Sequence, residues 1–208
     1  MRNARRVRAI EVDPALAARL RARFARTRGV EVLEGDILRV PLPREPFRVV
    51  ANIPFNLTTA ITRRLLDDPA LPLTGAYLIV EADVAWKRAR VSPSTALGAY
   101  WGAWWEFAFV RRLDASAFSP PPRTDAALLR IARRPAPLVP AGEARAYRAL
   151  VSAAFDSRAP VRRSLRAKLS PLELKRLAHD LGFAADAPPW QLDQHQWAGV
   201  FRFVRCAR

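Results

Sequence analysis

The chain has 208 residues, half of them hydrophobic, which is enough for one sizeable α/β domain and a smaller appendage. It holds no run of 18 or more apolar residues to span a bilayer, the single Cys206 excludes an internal disulfide, and His179 and His195 alone do not make a zinc site, so no membrane and no metal are expected. Against 19 acidic residues stand 35 basic ones, a net charge of +16 that exceeds what solubility needs and points to a polyanionic partner.

Among the cations only Lys87, Lys168 and Lys175 are lysines. A GC-rich coding bias accounts for Arg over Lys but not for the net excess, and Arg suits bidentate phosphate contacts and stacking on bases. The opening MRNARRVRAIEVD passes from basic residues straight into a strand-like pattern without a signal-type apolar core, so the expected compartment is the cytoplasm.

Residues 7–12 form the first β-like run. Asp13 can cap a following helix with Pro14 at its first position, Leu16, Leu20 and Phe24 mark one apolar face, and Gly29 lies past its end. Residues 30–33 make the next strand, closed by Gly35-Asp36, and a loop carrying Pro41 and Pro43 leads to a third strand over 47–51. A helix over 58–67, a strand over 76–81 and a helix over 82–90 continue an alternation that predicts a doubly wound, largely parallel sheet. Residues 104–113 and 126–132 read as two strands of a closing hairpin, joined by a turn rich in proline at Phe118-Ser119-Pro120-Pro121-Pro122.

The stretch RRPAPLVPAGE, residues 133–143, reads as a linker. Beyond it Tyr147, Leu150, Val151, Ala154 and Phe155, and later Trp197, Val200, Phe201 and Val204, keep helical spacing, while Ser170-Pro171-Leu172-Glu173 is a capping box. The expected layout is an α/β domain over 1–134 and a small helical domain over 144–208. Trp101, Trp104 and Trp105 are assigned to core packing rather than to stacking on nucleic acid.

Three strand ends carry candidate chemistry. Glu11 closes the first strand, where a carboxylate can accept from the 2′ and 3′ hydroxyls of a ribose. Asp36 closes the second, where it can accept from an adenine amino group, although Gly-Asp is equally an ordinary turn dipeptide. The third ends in Asn52-Ile53-Pro54-Phe55. An Asn side-chain oxygen and a neighbouring carbonyl stiffened by proline can accept both hydrogens of an exocyclic amine while the ring stacks on its base. Two such acceptors favour the pyramidal nitrogen whose lone pair can attack a methyl sulfonium, and positioning supplies most of the rate. A plain Asn-Pro turn with a buried Phe55 is the ordinary alternative.

The series AIEVDPALAARL, EGDIL, VVANIPFNLTTAI and FSPPPRTDAALLRI, covering about residues 5 to 132, resembles the ribosomal RNA adenine N6-dimethyltransferases. Ile53 between Asn52 and Pro54, the RRPAPLVP stretch and the tail QHQWAGVFRF resemble the Erm branch, which acts on large-subunit rRNA, more than the KsgA-like branch, which acts on the small subunit. The resemblance implies a Rossmann-like fold that uses S-adenosylmethionine, acts on 23S rRNA, and confers resistance to macrolide-type antibiotics; a monomer is expected, with the oligomeric state left open by the sequence. It implies that Glu11 holds the cofactor ribose, Asp36 and the Ile37 backbone its adenine, Asn52 and Ile53 the target N6, Phe55 the face of a flipped adenine, and Phe118 that nucleotide from another side. Arg158, Arg162, Arg163, Arg166 and Lys168 are the expected phosphate contacts, unless they form only a solvated helix face. The family also places a strand and a Gly-rich loop ahead of the segment matching 7–12. Met1 to Arg6 supply neither, so a sheet without its first strand, in an N-terminally truncated domain, is expected. A non-catalytic RNA-binding remnant and an amine methyltransferase acting on DNA remain as alternatives.

Overall fold

The computed structural model describes residues 5–119 and 124–206. It divides into two compact units, Met1–Arg44 and Glu45–Arg208. The expected domain division over 1–134 and 144–208 follows secondary-structure content, whereas the division by packing falls between Arg44 and Glu45.

The first unit holds β1 (Val7–Glu11), α1 (Pro14–Phe24) and β2 (Val30–Glu34). β1 and β2 run parallel with Val7 opposite Val30 and Glu11 opposite Glu34, and neither pairs with another described strand. Asp13 caps α1 by accepting from the amides of Ala15 and Leu16, with Pro14 at the first helical position. The helix stops at Phe24, short of Gly29, which instead turns the chain into β2 at φ +81°; a Cβ there would meet the Arg5 carbonyl oxygen at 2.8 Å. The expected apolar face of α1 is not buried: Ala17 is its one buried residue and Leu16 stays 44% exposed.

The second unit begins with β3 (Phe47–Asn52), a 3-10 turn at Phe55–Leu57 and α2 (Thr58–Leu66). It continues with β4 (Leu73–Glu81), α3 (Ala82–Arg88), α4 (Ala96–Trp101), β5 (Trp105–Leu113) and β6 (Ala126–Arg133). β3 and β4 are parallel, β6 is antiparallel to β4 and to β5, and the sheet order is β3-β4-β6-β5. The hairpin pairing of β5 with β6 is as expected and closes one side of the sheet, with β6 between β4 and the edge strand β5. A bulge at Val110 shifts the β5 register and leaves that side chain exposed on the edge strand. The proline turn after Ser119 lies outside the described residues.

Helices α5 (Ala144–Asp156), α6 (Val161–Ser164), α7 (Pro171–Leu181) and α8 (Gln194–Cys206) follow. Apolar spacing buries Tyr147, Leu150, Val151 and Ala154 on α5 and Trp197, Val200, Phe201 and Val204 on α8, while Phe155, of the same expected face, is only half-buried. The segment read as a linker is packed against the sheet. Arg133 belongs to β6, the amides of Arg134 and Leu138 donate to the carbonyls of Trp104 and Ala103 at 2.9 and 2.8 Å, and Val139 is fully buried. Trp101, Trp104 and Trp105 are core residues, as expected, and Tyr100, Trp104, Tyr147 and Phe201 form a chain of edge-to-face and tilted rings that joins α4, α5 and α8. Among the described residues no helix is long and apolar enough to cross a membrane.

Candidate active site

β1 and β2 carry their acids to one edge because they are parallel and in register. The Gly35 amide donates to the Glu11 carbonyl at 2.8 Å, tying the two strand ends together. Each carboxylate is partly engaged. Glu11 Oε1 accepts from the Asp13 amide at 2.9 Å, while Asp36 Oδ1 accepts from the Leu38 amide at 2.8 Å and its Oδ2 lies 3.8 Å from the Arg39 guanidinium. These bonds hold the carboxylates in place and leave lone pairs for further donors, so the pair suits the hydroxyls of a ribose and the amino group of a purine. Ile37, between Asp36 and the Leu38 amide, is half-buried.

In the second unit β3 ends at Asn52, paired with Ile79, and the Ile53 amide extends the ladder by donating to the Ile79 carbonyl at 3.4 Å. Ile53 buries its side chain and so anchors the motif, while Asn52 and Pro54 are exposed and Phe55 is half-buried. Pro54 then starts the 3-10 turn, its carbonyl accepting from Leu57 at 2.9 Å, which aims the chain into α2. No described residue hydrogen-bonds the Asn52 side-chain amide or the Ile53 carbonyl. Two unused acceptors on neighbouring residues and a ring three positions on can therefore receive a planar base with an exocyclic amine.

Phe118, half-buried, follows the turn Ala115–Ala117 at the start of the loop from β5 to β6. β5 ends at Leu113 opposite Ala126, which lies opposite Glu81, so this loop leaves the same sheet edge that β4 reaches just beyond Asn52 and Ile79. Asp114 caps that turn, and the Ser116 amide holds its carboxyl below the usual range. A feature with no sequence signal is Thr58 Oγ1, buried at the start of α2 without a hydrogen-bond partner in the described structure.

The expected phosphate contacts lie on the helical part. Arg162, Arg163, Arg166 and Lys168, with Ser170 and Leu174, line an open cleft of about 630 Å³. All four cations are exposed, but Arg162 is ion-paired with Asp186. Arg158 lies outside that cleft lining, exposed, in the left-handed region at φ +50°, unusual for a residue other than Gly or Asn. Among the described residues no group of three His, Cys, Asp or Glu side chains is disposed to hold a metal.

Strands alternating with helices, followed by a helical C-terminal part, make an α/β fold of the Rossmann-like methyltransferase type. Over 97% of this chain the structure is similar to the crystal structure of the 23S rRNA methyltransferase ErmE, with a TM-score of 0.85, 27% sequence identity and 83% of that chain covered. The family model for ribosomal RNA adenine dimethylase matches residues 1–204, and the chain belongs to that family. It is 40% identical over 154 residues to an rRNA adenine N-6-methyltransferase of Corynebacterium diphtheriae, covering 74% of this chain and 60% of that protein. It is 35% identical over 202 residues to the mycinamicin-resistance protein MyrB of Micromonospora griseorubida, covering 96% of this chain and 63% of that protein. The chain thus spans about three-fifths of the length of these two relatives. Family membership implies a methyl donor of the S-adenosylmethionine type.

Proposed function

We propose that this protein methylates N6 of a specific adenine in 23S rRNA and so protects ribosomes from macrolide-type antibiotics. The observation that carries the reading is the Asn52-Ile53-Pro54-Phe55 unit, with both acceptors unengaged at the carboxyl end of β3. Asn52 Oδ1 and the Ile53 carbonyl accept the two N6 hydrogens, Pro54 fixes the spacing between them, and Phe55 stacks on the extruded base. Phe118 approaches the nucleotide from the loop that leaves the same sheet edge. Drawing both hydrogens toward acceptors localises the nitrogen lone pair, and no strong general base is required. S-adenosylmethionine supplies the electrophilic methyl group. Glu11 holds its ribose, and Asp36 with the Ile37 backbone its adenine.

The helical part over 144–208 serves as an RNA-binding domain, with Arg158, Arg163, Arg166 and Lys168 on phosphates. The large-subunit target is supported by the likeness to ErmE and to a resistance protein, and the net charge of +16 supports a polyanionic substrate.

The test is transfer of labelled methyl groups to fragments of 23S and 16S rRNA, by this chain and by this chain joined to the Gly-rich strand and loop of a relative. Transfer to one adenine of 23S RNA, reduced at least about 100-fold by Asn52→Ala with RNA affinity kept, is the expected result. Label on 16S RNA alone would move the protein to the small-subunit branch, and no transfer in either form to either RNA would remove the enzymatic reading.

A further inference from the structure

Six tryptophans occur in the chain, and four of them, Trp101, Trp104, Trp105 and Trp197, are fully buried. Trp86 is the reverse case, 67% exposed on α3. Its ring leans on Phe109 of β5 at 5.2 Å between centroids, tilted by 54°, a contact that fixes the indole without covering it. Burying an indole contributes substantially to a core, so an exposed one held in a fixed pose is a surface prepared for something flat and apolar.

The surroundings name the occupant. Arg88 on the same helix turns inward, its guanidinium 4.8 Å from the Trp101 ring centroid and its Nη1 donating to Thr95 Oγ1 at 3.1 Å. Lys87 directly follows Trp86, Arg90 lies two residues past the end of α3, and both are exposed with no ion pair among the described residues. Arg111 and Arg112 are exposed on β5 beyond Phe109, Arg112 in a solvent-facing pair with Asp125. An exposed aromatic ring set among cations matches a nucleobase between its phosphates better than an apolar protein face.

Position links this surface to the site. Phe109 lies opposite Leu129, Leu129 opposite Leu78, and Leu78 opposite Ala51, the residue before Asn52. Three strand spacings, roughly 14 Å of sheet, separate the two ends of that row. We infer that Trp86 stacks on an unpaired base flanking the target adenine, with Lys87 and Arg90 on the adjoining phosphates, so that α3 contributes to the choice of RNA context. This rests on the rRNA reading above.

The test compares binding of an RNA hairpin with unpaired adenines in its loop and of a blunt RNA duplex of equal length, across a range of salt. Trp86→Leu keeps Phe109 covered but cannot stack. It weakens hairpin binding about 5- to 100-fold, leaves duplex binding and the slope of log K against log salt unchanged, and melts as the parent does. Trp86→Phe retains a ring and falls between the two. Lys87→Ala instead lowers the salt slope by about one. Hairpin binding by Trp86→Leu equal to the parent overturns the inference while leaving the rRNA reading intact. So does loss of self-association with unchanged RNA affinity, which marks a protein-docking surface. A parent chain that binds neither RNA removes the rRNA reading and this inference together.

Discussion

Arg148 on α5 donates to Asp67 Oδ2 at 3.0 Å, fastening the helical part to the C-terminal end of α2. Asp67 is also the acceptor for Trp101 Nε1 at 2.8 Å through Oδ1 and for Tyr100 OH at 2.6 Å through its carbonyl, and Arg63 reaches Oδ2 at 3.1 Å. Both arginines are at least a third exposed, so their charge contribution is small. The buried indole N–H decides the cost. Asp67→Ala strands it and destabilises the protein by about 1–3 kcal/mol, while Asp67→Asn, which keeps an acceptor, loses much less. Urea unfolding of the two variants checks this, and equal losses would mean that the charge, not the indole bond, matters.

Thr58 Oγ1 is buried without a partner, and an unsatisfied hydroxyl opposes folding. Thr58→Val removes it at nearly constant volume and is expected to raise stability by about 1 kcal/mol. Thr58→Ser keeps the hydroxyl, loses the methyl and lowers stability. A destabilised valine variant, read from the same unfolding curves, would show that the hydroxyl has a role in the folded protein.

How much of this could be read in the sequence depends on how local the signal is. The Asp13-Pro14 and Ser170-Glu173 caps and the Asn52–Phe55 motif are short-range, and each lies where its pattern puts it. Insertion of β6 between β4 and β5 is set by which strands find partners across the chain, which no local pattern encodes. The three prolines of 133–143 imitate a free linker, yet the amides of Arg134, just before them, and Leu138, among them, bond to Trp104 and Ala103. Nor does sequence separate Trp86, exposed, from Trp101, buried, only 15 positions on; the first leans on Phe109 of β5, whereas the second is bonded to Asp67 and covered by Arg88. The face of Leu16, Leu20 and Phe24 has helical spacing, but spacing alone does not say that a partner covers it.

The basic residues of the helical part make unequal contributions. Arg162 is already paired with Asp186, whereas Arg163 and Arg166 carry no ion pair among the described residues. Arg166→Ala is therefore expected to lower the salt slope of RNA binding by about one, and Arg162→Ala by less. Asp186→Ala frees Arg162 and strengthens binding. Arg158 holds φ +50°, so Arg158→Gly relieves the backbone and raises stability by roughly 1 kcal/mol while weakening RNA binding. Filter binding at several salt concentrations, beside thermal melts, separates the two effects; a glycine variant that melts lower would contradict the strain argument.

The wall of that cleft ends in the cap of α7. Ser170 Oγ accepts from the Glu173 amide at 3.3 Å, and the Glu173 carboxylate accepts from the Ser170 amide at 2.8 Å and from its hydroxyl at 2.7 Å. The Ser170 side chain first, then its amide, holds the Glu173 carboxyl below its usual 4.5. A carboxyl depressed on folding adds stability that is complete above its unfolded value and fades as pH falls through the folded one. Glu173→Gln keeps an acceptor but not the charge, so its deficit against the parent is constant near neutrality and shrinks as pH drops below about 4.5. Ser170→Ala removes the N-cap and costs roughly 1 kcal/mol at neutral pH. Urea midpoints taken from neutral to acid pH for the three proteins read this directly. A deficit for Glu173→Gln that does not change with pH would show that the carboxylate charge plays no part in holding α7, and with it the lining of Leu174 and Ser170, in place.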